Sequence, residues 1–195
     1  MMDIAERVMN YSKTFPDWPR LIADKGFICG TWMIGQCYKN DTDLYGAYPH
    51  GYLKRIMALF PDINPDKTLH LFAGSLIEQN IPGVMFDIQY PPGFKVGNAP
   101  HSSIIQGDAH NLSSYFEGSS FDLILADPPY SDEDATHYGT PMVNRNKVVA
   151  ECTKVLKPGG FLVWLDQIFP MFKKSELKLM GSVGLIRSTN HRVRM

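Results

Sequence analysis

From Thr68 onward the chain alternates short apolar runs with stretches of helical periodicity, and this alternation limits the available folds more than any other feature. Leu69 to Phe72, Val84 to Ile88, Ser103 to Gln106, 120–126 and Phe161 to Leu165 each read as a buried strand. Between them fall a short helix from Ser75 to Asn80, a helical turn over 111–117 and an amphipathic helix from Met142 to Leu156. The last carries Val148, Val149, Cys152, Val155 and Leu156 on one face and closes at Lys157-Pro158-Gly159-Gly160. Strands spaced by helices wind into a parallel sheet with right-handed crossovers. A helix around 171–180 and two strands, about 183–188 and 191–195, finish the chain. Their junction at Thr189-Asn190 reads as a hairpin turn, which makes the last strand antiparallel and brings the count to seven strands.

Upstream of Thr68 the pattern is weaker. Residues 1–26 read as irregular, with Pro16, Trp18 and Pro19 interrupting any helix, and Phe27 to Tyr38 as a hairpin or strand-turn. Asn40 to Asp43 is a polar turn. Pro49 to Phe60 places Leu53, Ile56, Met57 and Phe60 at helical spacing before Pro61 and Pro65. A length of 195 residues suits one domain, divided here into an N-terminal extension, 1–48, and a core, 49–195.

Composition excludes some classes. With 44% hydrophobic and 20% charged residues the chain is globular, and no run reaches the length of a membrane span. Met1 to Arg7 has no apolar signal core, and Cys29, Cys37 and Cys152 form no C-x-x-C pair. The expectation is a cytoplasmic protein without disulfides, metal or membrane partner. A net charge of −1 gives no global positive field for gripping nucleic acid. Basic residues gather locally at Lys54-Arg55, at Lys173-Lys174 with Lys178, and at Arg187, His191, Arg192 and Arg194, as a binding patch or as solvated faces.

The strand over 120–126 ends at Asp127-Pro128-Pro129-Tyr130. Two prolines fix φ and carry no N–H, so the backbone leaves the ladder and stands as a rigid shelf at the carboxyl edge, where open α/β sheets bind ligands. One carboxylate, proline carbonyls and a flat ring suit a planar group bearing an NH₂. The carboxylate and a carbonyl accept its two hydrogens, and the tyrosine stacks on its ring.

This tetrapeptide resembles the (D/N/S)-P-P-(Y/F/W) motif of S-adenosylmethionine-dependent amino methyltransferases, most of all small phage or bacterial DNA enzymes of the adenine-N6 type. The resemblance implies a Rossmann-like fold, S-adenosyl-L-methionine as cofactor, a bacterial or phage-encoded cytoplasmic protein, and Asp127, Pro128, Pro129 and Tyr130 as catalytic residues. Phe72-Ala73-Gly74-Ser75 is similar to the family's cofactor loop, with His70 where an acid is frequent and Leu76 where a further glycine is common. By the same resemblance Asp87, with Ile88, binds the cofactor ribose, Asp108, with Ala109, its adenine amino group, and Asp127 lies beside both cofactor and substrate. The segment Tyr45 to Tyr52 either lines the methionine end, stacks on nucleic acid, or packs the N-terminal arm. Ser131 to Pro141 is a polar loop, a lid or plain surface.

The substrate implied is a DNA base flipped out of the helix. About a dozen residues separate Tyr130 from the next predicted helix, too few for a target-recognition domain. RNA guanine N2, a protein glutamine, or a non-catalytic module retaining the fold are the alternatives.

Overall fold

The computed structural model describes residues 2–34, 48–74, 76, 81–89, 102–187 and 193–194. In chain order the elements are α1 (Ile4–Thr14), β1 (Ile22–Asp24), β2 (Phe27–Ile34), α2 (Tyr52–Leu59), β3 (Thr68–Leu71), β4 (Gly83–Asp87), β5 (Ser102–Gln106), β6 (Phe121–Ala126), α3 (Asp132–Tyr138), α4 (Arg145–Val155), β7 (Leu156–Trp164), β8 (Gly181–Arg187) and β9 (Val193–Arg194). Short 3-10 stretches occupy Pro65–Lys67 and Ala109–Ser114. The chain gathers into two compact units, one from residues within 1–40, 48–62 and 178–195, the other from those within 63–177. Both chain ends thus share a unit, whereas the sequence reading drew its boundary at residue 48.

The second unit holds a five-stranded sheet in the order β5-β4-β3-β6-β7, with every pairing parallel. These strands fall where the apolar runs place them. The largely buried β3, β4 and β6 show near-continuous hydrophobicity rather than alternation, as parallel strands do. Val148, Cys152 and Val155 of α4 join Leu69, Leu71, Phe86, Ile124 and Leu112 in one buried cluster. Each such side chain contributes roughly 1.5–3 kcal/mol by leaving water. Strand order reverses between β3 and β6: the chain steps outward from β3 through β4 to β5, then returns to β3's other side.

Lys157-Pro158-Gly159-Gly160 does not close a helix but bulges from the start of β7. Phe121 pairs with Leu156 and Leu123 with Phe161, so the four residues bow out between the two pairings. Gly159 has φ +80°, and a Cβ on Gly160 would lie 2.9 Å from the Asp122 carbonyl oxygen, so the bend needs both glycines. Lys157 Nζ closes the bulge on Asp122 at 2.9 Å.

The first unit holds a separate four-stranded sheet, β1-β2-β8-β9. This corrects the expected single seven-stranded sheet: among the described residues the C-terminal hairpin pairs with β2. The parallel ladder runs from Ile28↔Gly181 to Ile34↔Arg187, and β9 lies antiparallel on β8 as the hairpin reading anticipated. β1 and β2 form a hairpin through Lys25 (φ +45°) and Gly26 (φ +77°), two positive φ angles whose twist matches the strands.

Three local expectations are also corrected. Residues 1–26 contain α1, whose Asp3 side chain accepts from the Glu6 N–H while Glu6 accepts from the Asp3 N–H. Pro16 and Pro19 follow the helix and stop it rather than prevent it. Ser131 to Pro141 contains α3, capped by Ser131 and ended by Gly139 at φ +67°. Around 171–180 there is no helix, only a turn in which the Glu176 and Leu177 N–H groups donate to the Lys173 carbonyl. The predicted helix from Ser75 to Asn80 lies outside the described residues apart from Leu76. No helix among the described residues is long and apolar enough to cross a membrane.

Aromatic and ionic contacts knit α1, β2 and α2. Tyr11 stacks on Trp32 (5.9 Å, 20°), and Trp32 meets Tyr52 edge-on at 6.1 Å. Arg7, fully buried, donates to both Asp62 oxygens at 2.7 and 3.0 Å and to the Leu59 carbonyl.

Candidate active site

The parallel ladders set the register of the sheet's carboxyl edge. Leu71 pairs with Phe86 and Ala126, Asp87 with Gln106, and Ala126 with Trp164. Phe72 and Asp127 are therefore the next residues out on neighbouring strands, at the point where strand order reverses. Along the same edge Asp87 ends β4, Asp108 follows β5 and Asp166 follows β7. Ligands of open α/β sheets bind at such a switch point.

Past β3 the backbone turns sharply. Phe72 sits at φ +60°, a left-handed conformation that costs a non-glycine residue roughly 1–2 kcal/mol. Gly74 follows at φ +49° and donates its N–H to Asp87 Oδ2 at 2.9 Å, while the Ala73 N–H reaches the Phe86 carbonyl at 3.3 Å. The Gln89 N–H donates to Asp87 Oδ1 at 3.2 Å. Glycine loop and acid, predicted separately from the sequence, are thus one hydrogen-bonded unit. Burial pushes the Asp87 carboxyl above its usual range, and the N–H groups of Gly74, Gln89 and Ile88 pull against that rise. Ile88 beside it is exposed. Ser75 lies outside the described residues.

The two departures in this loop are core residues. Leu76 is buried, its N–H on the Ala73 carbonyl. His70 is buried within β3, and burial pushes its pKa down to about 4, against a hydrogen bond with the Pro82 backbone. It is neutral at pH 7. A Cβ on Gly83 would lie 3.1 Å from His70 Nε2 and 2.8 Å from the Thr68 carbonyl, so the start of β4 fits over this ring only as glycine.

After β5, Asp108 Oδ1 accepts from the His110 N–H at 2.9 Å and from His110 Nδ1 at 2.6 Å, and Asp108 Oδ2 from Asn111 at 3.4 Å. Burial alone would raise this carboxyl. The hydrogen bonds from His110 and the positive charge of Lys147 outweigh it and hold the group below its usual range. Its side chain is 43% exposed, which leaves the carboxylate room for a further donor. Ala109, next in sequence, is buried and opens the 3-10 stretch. His110 Nε2 accepts the Asn144 N–H at 3.0 Å. With Nε2 accepting, Nδ1 carries the proton and donates to Asp108.

At the end of β6 the Ala126 carbonyl takes the Leu165 N–H at 2.9 Å and closes the ladder. The Tyr130 hydroxyl donates to Asp127 Oδ1, so the tyrosine lies back on the carboxylate. Pro128 is buried, and no hydrogen bond to its carbonyl falls among the described residues. The carbonyls of Pro129 and Tyr130 both accept from Arg145 Nη2, at 3.4 and 3.0 Å. Arg145 is in turn gripped by Asp166, Nε to Oδ2 at 2.6 Å and Nη2 to Oδ1 at 3.3 Å.

Arg145, Asp166, Asn144 and His110 were not picked out by sequence. Asp166 had a readable signal, because an acid closing the run Phe161 to Leu165 follows the rule that marks Asp87 and Asp127. Arg145 had none. Of the tyrosine segment, Tyr45 lies outside the described residues, and Tyr48 packs on Tyr52 with centroids 5.1 Å apart inside the first unit. Among the described residues no group of His, Cys, Asp and Glu is placed to hold a metal.

The residues present fit a nucleoside-bearing cofactor: a strained turn at a strand end, one acid tied to it, and a second, partly exposed acid with room for a further donor. Residues 94–164 match the family model described as a methyltransferase domain, a span that contains β6, Asp127 to Tyr130, α4 and β7. The match supports methyl transfer with S-adenosyl-L-methionine as cofactor. No curated protein matches the chain. Among solved structures it is similar to the CurJ carbon methyltransferase, at 18% identity over 60% of this chain and 34% of that one, TM-score 0.40. It is also similar to CrArsM, an arsenic(III) S-adenosylmethionine methyltransferase from Chlamydomonas reinhardtii, at 21% identity over 53% and 39%, TM-score 0.35. A third is the aminoglycoside resistance methyltransferase NpmB1, at 18% identity over 56% and 59%, TM-score 0.37. The chain thus spans between about a third and three-fifths of their lengths, and likenesses at these scores are too partial to carry an argument.

Proposed function

We propose that this protein transfers a methyl group from S-adenosyl-L-methionine to an exocyclic amino nitrogen of a DNA base, adenine N6 before the others. One observation carries this assignment: Arg145 holds the carbonyls of Pro129 and Tyr130, while among the described residues no hydrogen bond falls on the carbonyl of Pro128, a buried residue that follows Asp127 in the chain. The Asp127 carboxylate and the Pro128 carbonyl, on consecutive residues, would together match the two hydrogens of an aromatic amine.

Such an amine is a poor nucleophile because its lone pair is delocalised into the ring. Asp127 and the Pro128 carbonyl would accept its hydrogens, favour pyramidal nitrogen and direct the lone pair outward along the edge. Positioning of this kind lowers a barrier by several kcal/mol. When bound, S-adenosyl-L-methionine would supply an electrophilic sulfonium methyl with a thioether as leaving group; Asp127 would hold the amine for in-line attack on that methyl, and the amine proton would pass towards Asp127 and solvent. Asp87 would hold the ribose hydroxyls, Asp108 the adenine amino group, and the Phe72–Ser75 backbone with Ile88 and Ala109 the remainder of the nucleoside. Tyr130 would swing from Asp127 to stack on the flipped base, offsetting part of the few kcal/mol that flipping costs.

Transfer of labelled methyl to unmethylated DNA, total RNA and a protein extract in parallel tests the assignment. The predicted product is N6-methyladenine in digested DNA. Label confined to RNA or to protein would keep the chemistry and replace the substrate. No label in any of them, with no cofactor binding by calorimetry, would remove the assignment.

A further inference from the structure

Three consecutive residues where α4 begins reach three different strand-end loops. The Asn144 N–H donates to His110 beyond β5, the Arg145 guanidinium to the Pro129 and Tyr130 carbonyls beyond β6, and Asn146 Oδ1 accepts the Met171 N–H beyond β7. Arg145 is the centre of this bar. Its partner Asp166 is fully buried and already accepts from Trp164 Nε1 at 3.2 Å and from the Gln167 and Ile168 N–H groups at 2.7 and 3.2 Å. A carboxylate held by three neutral donors fixes the guanidinium, whose Nη2 also reaches the tetrapeptide.

The need for such a clamp follows from the prolines. Pro128 and Pro129 have no N–H, so the shelf cannot be anchored by a ladder, and its carbonyls would otherwise be free to rotate. We propose that Arg145, oriented by Asp166, is a positioning residue: it takes the Pro129 and Tyr130 carbonyls out of play and fixes the peptide plane that presents the Pro128 carbonyl to the amine. Arginine suits the task because its planar fork grips a carboxylate and reaches a second acceptor together, which a lysine ammonium cannot do.

The catalytic part of this proposal rests on the amino-nitrogen assignment, and the experiment separates the two. Arg145→Lys and Arg145→Gln are compared with the wild type by kcat and KM for the amine substrate, cofactor affinity by calorimetry, and hydrogen exchange across 121–141. Misplacement of a reacting group by a fraction of an ångström is expected to lower kcat about 10- to 100-fold. Cofactor affinity should stay within about two-fold, and exchange should quicken over 127–131 while 68–87 is unchanged. Asp166→Asn, which keeps the backbone hydrogen bonds but loses the charge, should reproduce a smaller fall in kcat. Unchanged kcat, unchanged exchange, or a parallel loss of cofactor affinity would overturn the positioning role. If the wild type methylates no amine, the amino-nitrogen assignment fails by itself and the exchange measurement alone decides whether Arg145 holds the shelf.

Discussion

Tyr130 and Asp127 illustrate what a motif conveys and what it omits. From sequence, the acid, two prolines and an aromatic mark a shelf at a strand end, and the structure puts that shelf at the switch point of the sheet. The resting geometry was not legible, because nothing in four letters says that the Tyr130 hydroxyl lies on the Asp127 carboxylate. Under the proposed assignment an incoming amine would compete with that hydroxyl for the carboxylate. Tyr130→Phe keeps the stacking ring and vacates the acceptor, so KM for the amine substrate should fall by a few-fold, the equivalent of about 1 kcal/mol for one hydrogen bond. Tyr130→Ala, without the ring, should instead lose turnover. A rise in KM for the phenylalanine variant, measured by steady-state kinetics, would mean that the hydroxyl itself binds substrate. Arg145 and Asp166 were illegible for a different reason: their contact spans 21 residues, belongs to no local pattern, and acts on backbone carbonyls that sequence does not display.

At the scale of elements, legibility followed burial. Strands β3, β4 and β6 run through the core and announce themselves as apolar runs, and α4 does so by its stripe. Helix α3 is short and polar, whereas α1 is as long as α4 but its buried face, Ile4, Arg7, Val8 and Tyr11, includes a charged residue that masks the periodicity; the start of each is set by side-chain capping. Asp3 and Glu6 form a capping box three residues apart, and Ser131 precedes three acids in the first turn of α3. Asp3→Ala should cost about 1 kcal/mol of stability, read as a shift in the urea midpoint with unchanged slope. An unchanged midpoint would show that the Arg7 grip on Asp62 and Leu59 holds α1 without its cap. The pairing of β2 with β8 could not be read locally at all, because partners from the two ends of a chain leave no trace in either neighbourhood.

For the whole molecule, the order of elements was the strongest information in the sequence: loop, acid, acid and shelf at successive strand ends converge on one edge in the second unit. The division into two units was the largest departure. Global stability also carries a pH signature from β3. His70 is neutral in the fold, with a pKa near 4 against 6.5 when exposed, so below pH 6.5 the unfolded chain binds a proton that the folded one refuses. Stability is therefore full above pH 6.5 and declines as pH falls towards 4, by up to about 3 kcal/mol from this group. Urea unfolding at pH 7.5 and 5 should show the loss, and His70→Leu should flatten that part of the dependence. An identical pH slope in the variant would remove His70 as its source.

The central claim is that the Asp127 carboxylate holds the amine and not the cofactor. Turnover and calorimetric cofactor binding of Asp127→Ala, measured on one preparation, test it most directly. Methyl transfer should fall by at least about a hundred-fold, the scale of losing a positioned reacting group, while cofactor affinity persists. Loss of cofactor binding together with turnover, or turnover that survives, would contradict the account.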